Sequence, residues 1–247
     1  TDLIIQTIKW EHKFLYLGIK IQRNSTMKTS FISIIASTVL LLGNIFAGGG
    51  DSSMAKTEFV PDWAKDAVWY QVFPERFRNG NRDNDPKIEN LKGAYPHDIT
   101  SPWQIHPWES DWYELQPYEK GNGKDIWFNL QRRRYGGDLQ GVIDKLGYIK
   151  DLGINAIYLN LVFQAPSLHK YDGISFHHVD PNFGNNPEAD RELISSESFD
   201  DPTTWKWTNA DKLVLELIQK AHKLGIRVIF DGVFNHMGIS SIPFRDI

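Results

Sequence analysis

Two stretches of this chain repeat one design: an amphipathic helix, a glycine, and a short run rich in branched and aromatic residues. In the first, Val142, Ile143, Leu146, Ile149 and Leu152 share a helical face, Gly153 follows, and INAIYLNLVF (154–163) comes next. In the second, Leu213, Val214, Leu217, Ile218, Ala221 and Leu224 make the stripe, Gly225 follows, and IRVIFDG (226–232) completes the unit. Glycine just past a helix supplies the left-handed residue that stops it. Strands apolar on both faces belong to a parallel sheet covered by helices. Upstream, AVWYQVF (67–73) is rich in β-formers and predicts another buried strand. The order is therefore strand, helix, strand, helix, strand, with right-handed crossovers.

Open doubly wound sheets and closed (β/α) barrels both begin this way. No glycine-rich phosphate loop follows the first strand, which argues against a dinucleotide fold. The chemically loaded residues sit instead at strand C-terminal ends and in the loops beyond, as in barrel enzymes. Those loops, 74–138 and 164–210, are long enough to predict function or disorder. The first carries Tyr95, Trp103, Trp108, Trp112, Tyr113, Tyr118, Trp127, Phe128 and Tyr135, too many aromatic rings for disorder. Most are expected to pack under the loop, and one or two to offer a flat face to a sugar ring.

A net charge of −4 without a basic stripe leaves no footprint for nucleic acid. The absence of cysteine removes disulfides, thiolate metal sites and a cysteine nucleophile together. Near the N-terminus, Met27 and Lys28 precede an apolar run from Phe31 to Leu42, and Ala47 offers a small residue for cleavage. That is the pattern of a secretory signal peptide over 27–47. Ser33, Ser37, Thr38 and Asn44 interrupt the run, whereas a membrane anchor wants about 20 apolar residues. Residues 1–26 then read as translated sequence upstream of the start. Residues 48–60, opening GGGDSSMAKT, read as a linker. The folded part is 61–247, in a protein expected to be secreted or periplasmic without a stable membrane span.

Three constellations carry chemistry. Asn79, Asn81, Asp83, Asn84 and Asp85 crowd oxygen-bearing side chains around Gly80. Hard oxygens on a turn suit Ca²⁺, but the same residues make an ordinary solvated turn, and the pattern alone favours neither. His169, Tyr171 and Asp172 join a donor, a ring and a carboxylate in one loop, as a polyhydroxylated ligand requires. Asp231 ends the last strand, with Asn235 and His236 just beyond.

Taken together, VWYQVFPERFRNG (68–80), YGGDLQGVIDKLGYIKDLGINAIYLN (135–160), HKYDG (169–173) with VDPNFG (179–184), and DGVFNH (231–236) resemble the alpha-amylase family of glycoside hydrolases, in its neopullulanase and cyclomaltodextrinase branch. The likeness is collinear from about Val60 onward. It implies an α/β fold, the N-terminal part of a (β/α)8 TIM barrel with about three of its eight strands. It implies retaining cleavage of α-glucosidic bonds, in which one carboxylate attacks the anomeric carbon and a carboxylic acid protonates the leaving oxygen. The expected partner is an α-glucan such as starch, maltodextrin or cyclodextrin.

By that resemblance His236 donates to hydroxyls of the sugar in the −1 subsite, Asp231 braces the neighbouring catalytic strand, and Asn235 orders the loop. Tyr171 matches the ring that stacks on the same sugar, with His169 beside it. The resemblance also implies a structural Ca²⁺ held by Asn79, Asn81, Asn84, Asp85, the carbonyl of Gly136, and Asp138. Asn81 stands where the family often has Asp. Leu161 and Val162 replace a usual Pro-Ile pair, a departure expected to reshape the pocket floor. The family's nucleophilic Asp, acid Glu and later His-Asp pair have no counterpart within the chain. The resemblance therefore assigns it no catalytic residue and implies that these residues alone are inactive and poorly stable. A glucanotransferase or isomerase, and a non-catalytic glucan-binding protein on the same fold, remain alternatives.

Overall fold

A computed structural model describes residues 60–245. The expected upstream extension, the signal peptide and nearly all of the linker lie outside the described residues. Strands β1 (Trp69–Val72), β2 (Ala156–Leu159), β3 (Phe163–Gln164), β4 (Ser175–Val179) and β5 (Arg227–Phe230) form two sheets. The main sheet has the order β1-β2-β5, parallel throughout, with Trp69, Ala156 and Arg227 abreast at one end and Val72, Leu159 and Phe230 at the other. The main helices are α1 (Ile126–Arg132), α2 (Leu139–Asp144), α3 (Leu146–Asp151), α4 (Pro187–Ser195) and α5 (Asn209–Lys223).

Helix α5 forms where the repeat predicts it. Thr208 and Asp211 cap it reciprocally: each side chain accepts the other's backbone N–H at 3.0 Å. Its stripe buries Leu213, Leu217 and Ala221 to 3% exposure or less. Fully burying one such leucine contributes about 1.5–3 kcal/mol. The chain then turns on Gly225 at φ +72°, as it turns on Gly153 at +81° after the earlier helix. That earlier helix differs from expectation. It is two short helices meeting at Lys145, whose φ and ψ of −101° and 2° are not helical. The Lys145 N–H bonds only three residues back, to Val142, at 3.1 Å. Leu139, Val142, Ile143, Leu146 and Ile149 still share one buried face, but Leu152 is 50% exposed and lies off the stripe.

Among the described residues, helices cover one face of this sheet, as the expected barrel requires. Val72, Ile157 and Leu159, with Tyr70, Val228 and Phe230, pack into a core with α2, α3 and α5. Register and alternation put Trp69, Gln71, Tyr158 and Ile229 on the opposite face. Helices outside and side chains filling the inside are what barrel strands need. INAIYLNLVF is also no single strand: β2 ends at Leu159, and Phe163 belongs to a separate antiparallel pair with β4. The long second loop is thus a β-hairpin followed by α4, not an irregular connection.

Candidate functional site

Three strands end on one side of the sheet, and a chain of polar groups crosses their tips. Gln71 of β1 donates from Nε2 to Oδ1 of Asn160, 2.9 Å away, just after β2. The Asn160 amide reaches the Tyr171 hydroxyl at 3.4 Å, and that hydroxyl donates to Asp231 Oδ2, at the end of β5, at 2.6 Å. Asp231 also takes a hydrogen bond from the Tyr158 hydroxyl, which pushes that phenol up to about 12. The Tyr171 phenol shifts upward for the same first reason. One carboxylate thus gathers two phenols.

His236 Nε2 lies 3.1 Å from the Tyr171 carbonyl. A carbonyl only accepts, so Nε2 carries the proton and Nδ1 is free to accept the Asn235 amide at 3.2 Å. The structure therefore brings Tyr171, Asp231, Asn235 and His236 together. It spends the His236 donor on the HKYDG loop, so serving a sugar hydroxyl requires the ring to release that carbonyl. His169 sits beside Tyr171, with ring centroids 5.8 Å apart, and its Nδ1 accepts the Tyr171 N–H at 3.1 Å. Burial lowers its affinity for a second proton, against the pull of Asp172. The Asp172 carboxylate accepts from Ser167 inside the same loop.

Lys170 supports this arrangement from below. It is non-glycine at φ +60°, a position L-residues visit rarely. Its buried ammonium donates to Asp180 Oδ2 at 2.7 Å and to the Ala165 carbonyl at 3.2 Å. A cavity of about 30 Å³ between Lys170, Asp180, Arg134 and Glu75 has room for a water. Glu75 is fully enclosed, and burial raises its carboxyl to about 7 despite the nearby Arg134. Its carboxylate accepts the N–H groups of Tyr135 and Gly136. Motif reading did not single out Gln71, Tyr158, Lys170, Asp180 or Glu75. A polar residue inside an apolar strand was the one available signal, at Gln71.

The oxygen-rich turn converges as well. Asn79 Nδ2 donates to Asp85 Oδ1 at 2.5 Å. A Cβ on Gly136, which stands at φ +72°, would lie 2.2 Å from that Asp85 oxygen and 2.7 Å from Asn79 Nδ2, so the three meet at one point. Beside them Asp138 caps α2. It accepts from the backbone of Gly80 (3.1 Å), Asn81 (2.9 Å) and Gly141 (2.6 Å) and from Asn84 Nδ2 (3.0 Å). Burial raises the carboxyls of both Asp85 and Asp138. The side-chain oxygens of Asn79 and Asn84 are buried with no hydrogen-bond donor. Unsatisfied hard oxygens beside two desolvated carboxylates fit a hard cation such as Ca²⁺. Asn81 is turned away, its Oδ1 accepting the Asp83 N–H at 3.0 Å. Among the described residues no three His, Asp or Glu side chains cluster as a metal site, so a cation here would need amide and main-chain oxygens beside the carboxylates of Asp85 and Asp138.

Comparison with known proteins places this geometry. Residues 71–198 match the family profile described as "Alpha amylase, catalytic domain". The chain belongs to the alpha-amylase family. Alpha-amylase-family relatives include a cyclomaltodextrinase of Thermoanaerobacter pseudethanolicus, 38% identical over 189 residues, which cover 76% of this chain and 23% of that protein. A maltogenic alpha-amylase of Bacillus acidopullulyticus is 37% identical over 187 residues, 76% of this chain and 22% of that one. The chain thus spans under a quarter of the curated relatives it matches. Among solved structures, the type III pullulan hydrolase from Thermococcus kodakarensis superposes with a TM-score of 0.51 at 28% identity, covering 74% of this chain and 26% of its own. A ligand-free cyclic alpha-maltosyl-(1→6)-maltose hydrolase from Arthrobacter globiformis gives 0.50 at 29%, covering 75% and 29%. The three strands described above are accordingly part of a TIM barrel.

Proposed function

We propose that the protein carrying this chain hydrolyses α-1,4-glucosidic bonds in starch, maltodextrin or cyclodextrin with retention of configuration. Support comes from relatives named for cyclomaltodextrin, maltogenic and pullulan hydrolysis. The observation that carries the reading is the hydrogen-bonded path Gln71, Asn160, Tyr171, Asp231 across the tips of three barrel strands, where barrel enzymes hold substrate. Tyr171, 38% exposed, offers its ring to the −1 sugar, and His169 flanks it. Asp231 fixes the ring's tilt, and His236, ordered by Asn235, exchanges the Tyr171 carbonyl for a sugar hydroxyl. By the family resemblance these residues hold the sugar and do not cut it, and the carboxylates of Asp231 and Asp172 each anchor a hydroxyl of the HKYDG region. The nucleophile and the acid then come from other strands.

Ca²⁺ is proposed at the turn, where Asn79, Asn84, Asp85, the Gly136 carbonyl and Asp138 would hold it and Asn81 would stand at its rim. It would supply charge neutralisation for the buried Asp138 and half-buried Asp85 carboxylates and tie the first loop to the start of α2. Export through the 27–47 segment is part of the same proposal, and among the described residues no helix is long and apolar enough to cross a membrane. N-terminal sequencing of the mature protein should begin just after Ala47, and retention of Met27 contradicts export by this segment. The hydrolytic reading is tested by reducing-end release from maltodextrin and cyclodextrin by the full-length protein. Release from neither overturns it.

A further inference from the structure

The long loop after β1 carries a feature the strand-tip site does not use. Tyr113 and Trp127 are 66% and 64% exposed, and their rings meet edge to face, with centroids 6.2 Å apart and planes 69° apart. Large rings are normally among the most buried side chains, so two adjoining exposed ones call for an occupant. The neighbouring Trp112 is less exposed, at 39%, and is tied down: it stacks on Tyr135 at 6.2 Å and 9°, with the Arg76 guanidinium 4.4 Å from its ring centre.

The pair is held from beneath by buried charge. Arg133, with a fully enclosed side chain, donates from Nη1 to the Trp112 carbonyl at 2.7 Å and from Nη2 to the Glu114 carbonyl at 2.8 Å. It grips the backbone on both sides of Tyr113. Two further bonds of 2.7 Å tie it to the buried Glu119. Asp111 accepts the Tyr113 N–H at 2.8 Å. Trp127 stands in the first turn of α1, which Asp125 caps through the Phe128 N–H at 2.8 Å. Buried ion pairs are poor sources of net stability, so this one is better understood as fixing geometry. The result is an exposed aromatic corner whose backbone is already ordered, and ordering is a main cost of binding.

We propose that Tyr113 and Trp127 form a surface site for an α-linked glucan chain, separate from the strand-tip site. The ligand class rests on the proposed function, but the geometry favours it independently. Rings turned 69° apart follow a curved α-linked chain, whose successive sugar faces turn, and not a flat β-linked one. The exposed side chains of Asp111, Glu114, Lys124 and Asp125, near the two rings in sequence, suit hydroxyl edges.

The test is native electrophoresis of the full-length protein through gels containing amylopectin or, as control, a soluble β-1,4-glucan. Replacing both residues (Tyr113→Ala with Trp127→Ala) should leave circular dichroism and melting temperature unchanged, since both rings are exposed. It should weaken retardation by amylopectin about 3- to 10-fold for each ring lost. Tyr113→Phe should keep most of it. Equal retardation of wild type and double variant overturns the site, and equal retardation of wild type by the β-glucan overturns the ligand class. Sedimentation without polysaccharide that shows the double variant losing self-association overturns it in favour of a protein interface. A wild type that hydrolyses maltodextrin while its retardation ignores the pair sinks this inference alone. Retardation through the pair without any hydrolysis sinks the proposed function alone.

Discussion

Asp231 shows how one side chain organises a site. It accepts from Tyr171 at 2.6 Å and also from Tyr158, so removing one hydroxyl leaves the other partner in place. Tyr171→Phe keeps the stacking ring and loses its anchor. We expect kcat/KM on maltodextrin to fall about 10- to 150-fold, the range for a lost bond to a charged group, with the melting temperature nearly unchanged. Wild-type kinetics would remove Tyr171 from the sugar's surroundings. At the turn, Gly136→Ala combines a left-handed backbone at φ +72° with a clash against Asp85. It should cost at least about 1–3 kcal/mol in urea unfolding, and a neutral result would mean the cradle is looser than described. Much of this was legible from the family resemblance: His169, Tyr171, Asp231, Asn235 and His236 do converge. Gln71 and Asn160 as partners were not, because pairing them needs the register of β1 against β2, which no local pattern encodes. Neither was the fate of the His236 donor, which depends on a carbonyl 65 residues away in sequence.

Between elements, His178 of β4 is a buried joint. Its Nδ1 meets Asp211 and its Nε2 meets Glu197, each at 2.7 Å. It thereby links the hairpin, the start of α5 and the loop between α4 and α5. Burial opposes charge on the ring, but the two carboxylates outweigh it and raise its pKa above the ordinary value of 6.5. A raised histidine contributes stability that is complete below the unfolded pKa and is lost as pH rises through the folded one. Melting temperature should therefore decline on the alkaline side of pH 6.5 in wild type but less in His178→Gln. Parallel curves for the two would contradict the joint. Leu217→Ala, in the middle of the α5 stripe, should cost about 2–5 kcal/mol, read from urea unfolding, and a cost under about 1 kcal/mol would mean the helix is not anchored by that face. Helical periodicity exposed the centre of this stripe, but Leu224, counted on it, lies past the helix end and is exposed. The same reasoning missed the break at Lys145, since two helices sharing one buried face leave almost the same apolar spacing as one. It also missed the hairpin, because Phe163 continues the apolar run of β2 while its backbone already pairs elsewhere.

For the whole molecule, the informative asymmetry is a sheet with helices on one face and Gln71, Tyr158 and Asp231 toward the other. The barrel was legible in the order of helices and strands, but only register revealed which residues look inward. Metal linkage belongs at this scale too. If Ca²⁺ bridges the turn to α2, EDTA should lower the melting temperature of the full-length protein and added Ca²⁺ should restore it, since a ligand binding only the native state stabilises by mass action. An unchanged transition would remove the cation from the account. The central claim is that the strand tips hold an α-glucan for retaining hydrolysis. The most direct measurement is the anomeric proton spectrum of the first sugars released from maltodextrin by the full-length protein. The account predicts that the α-anomer appears first and only later mutarotates, while a β-anomer appearing first would contradict it.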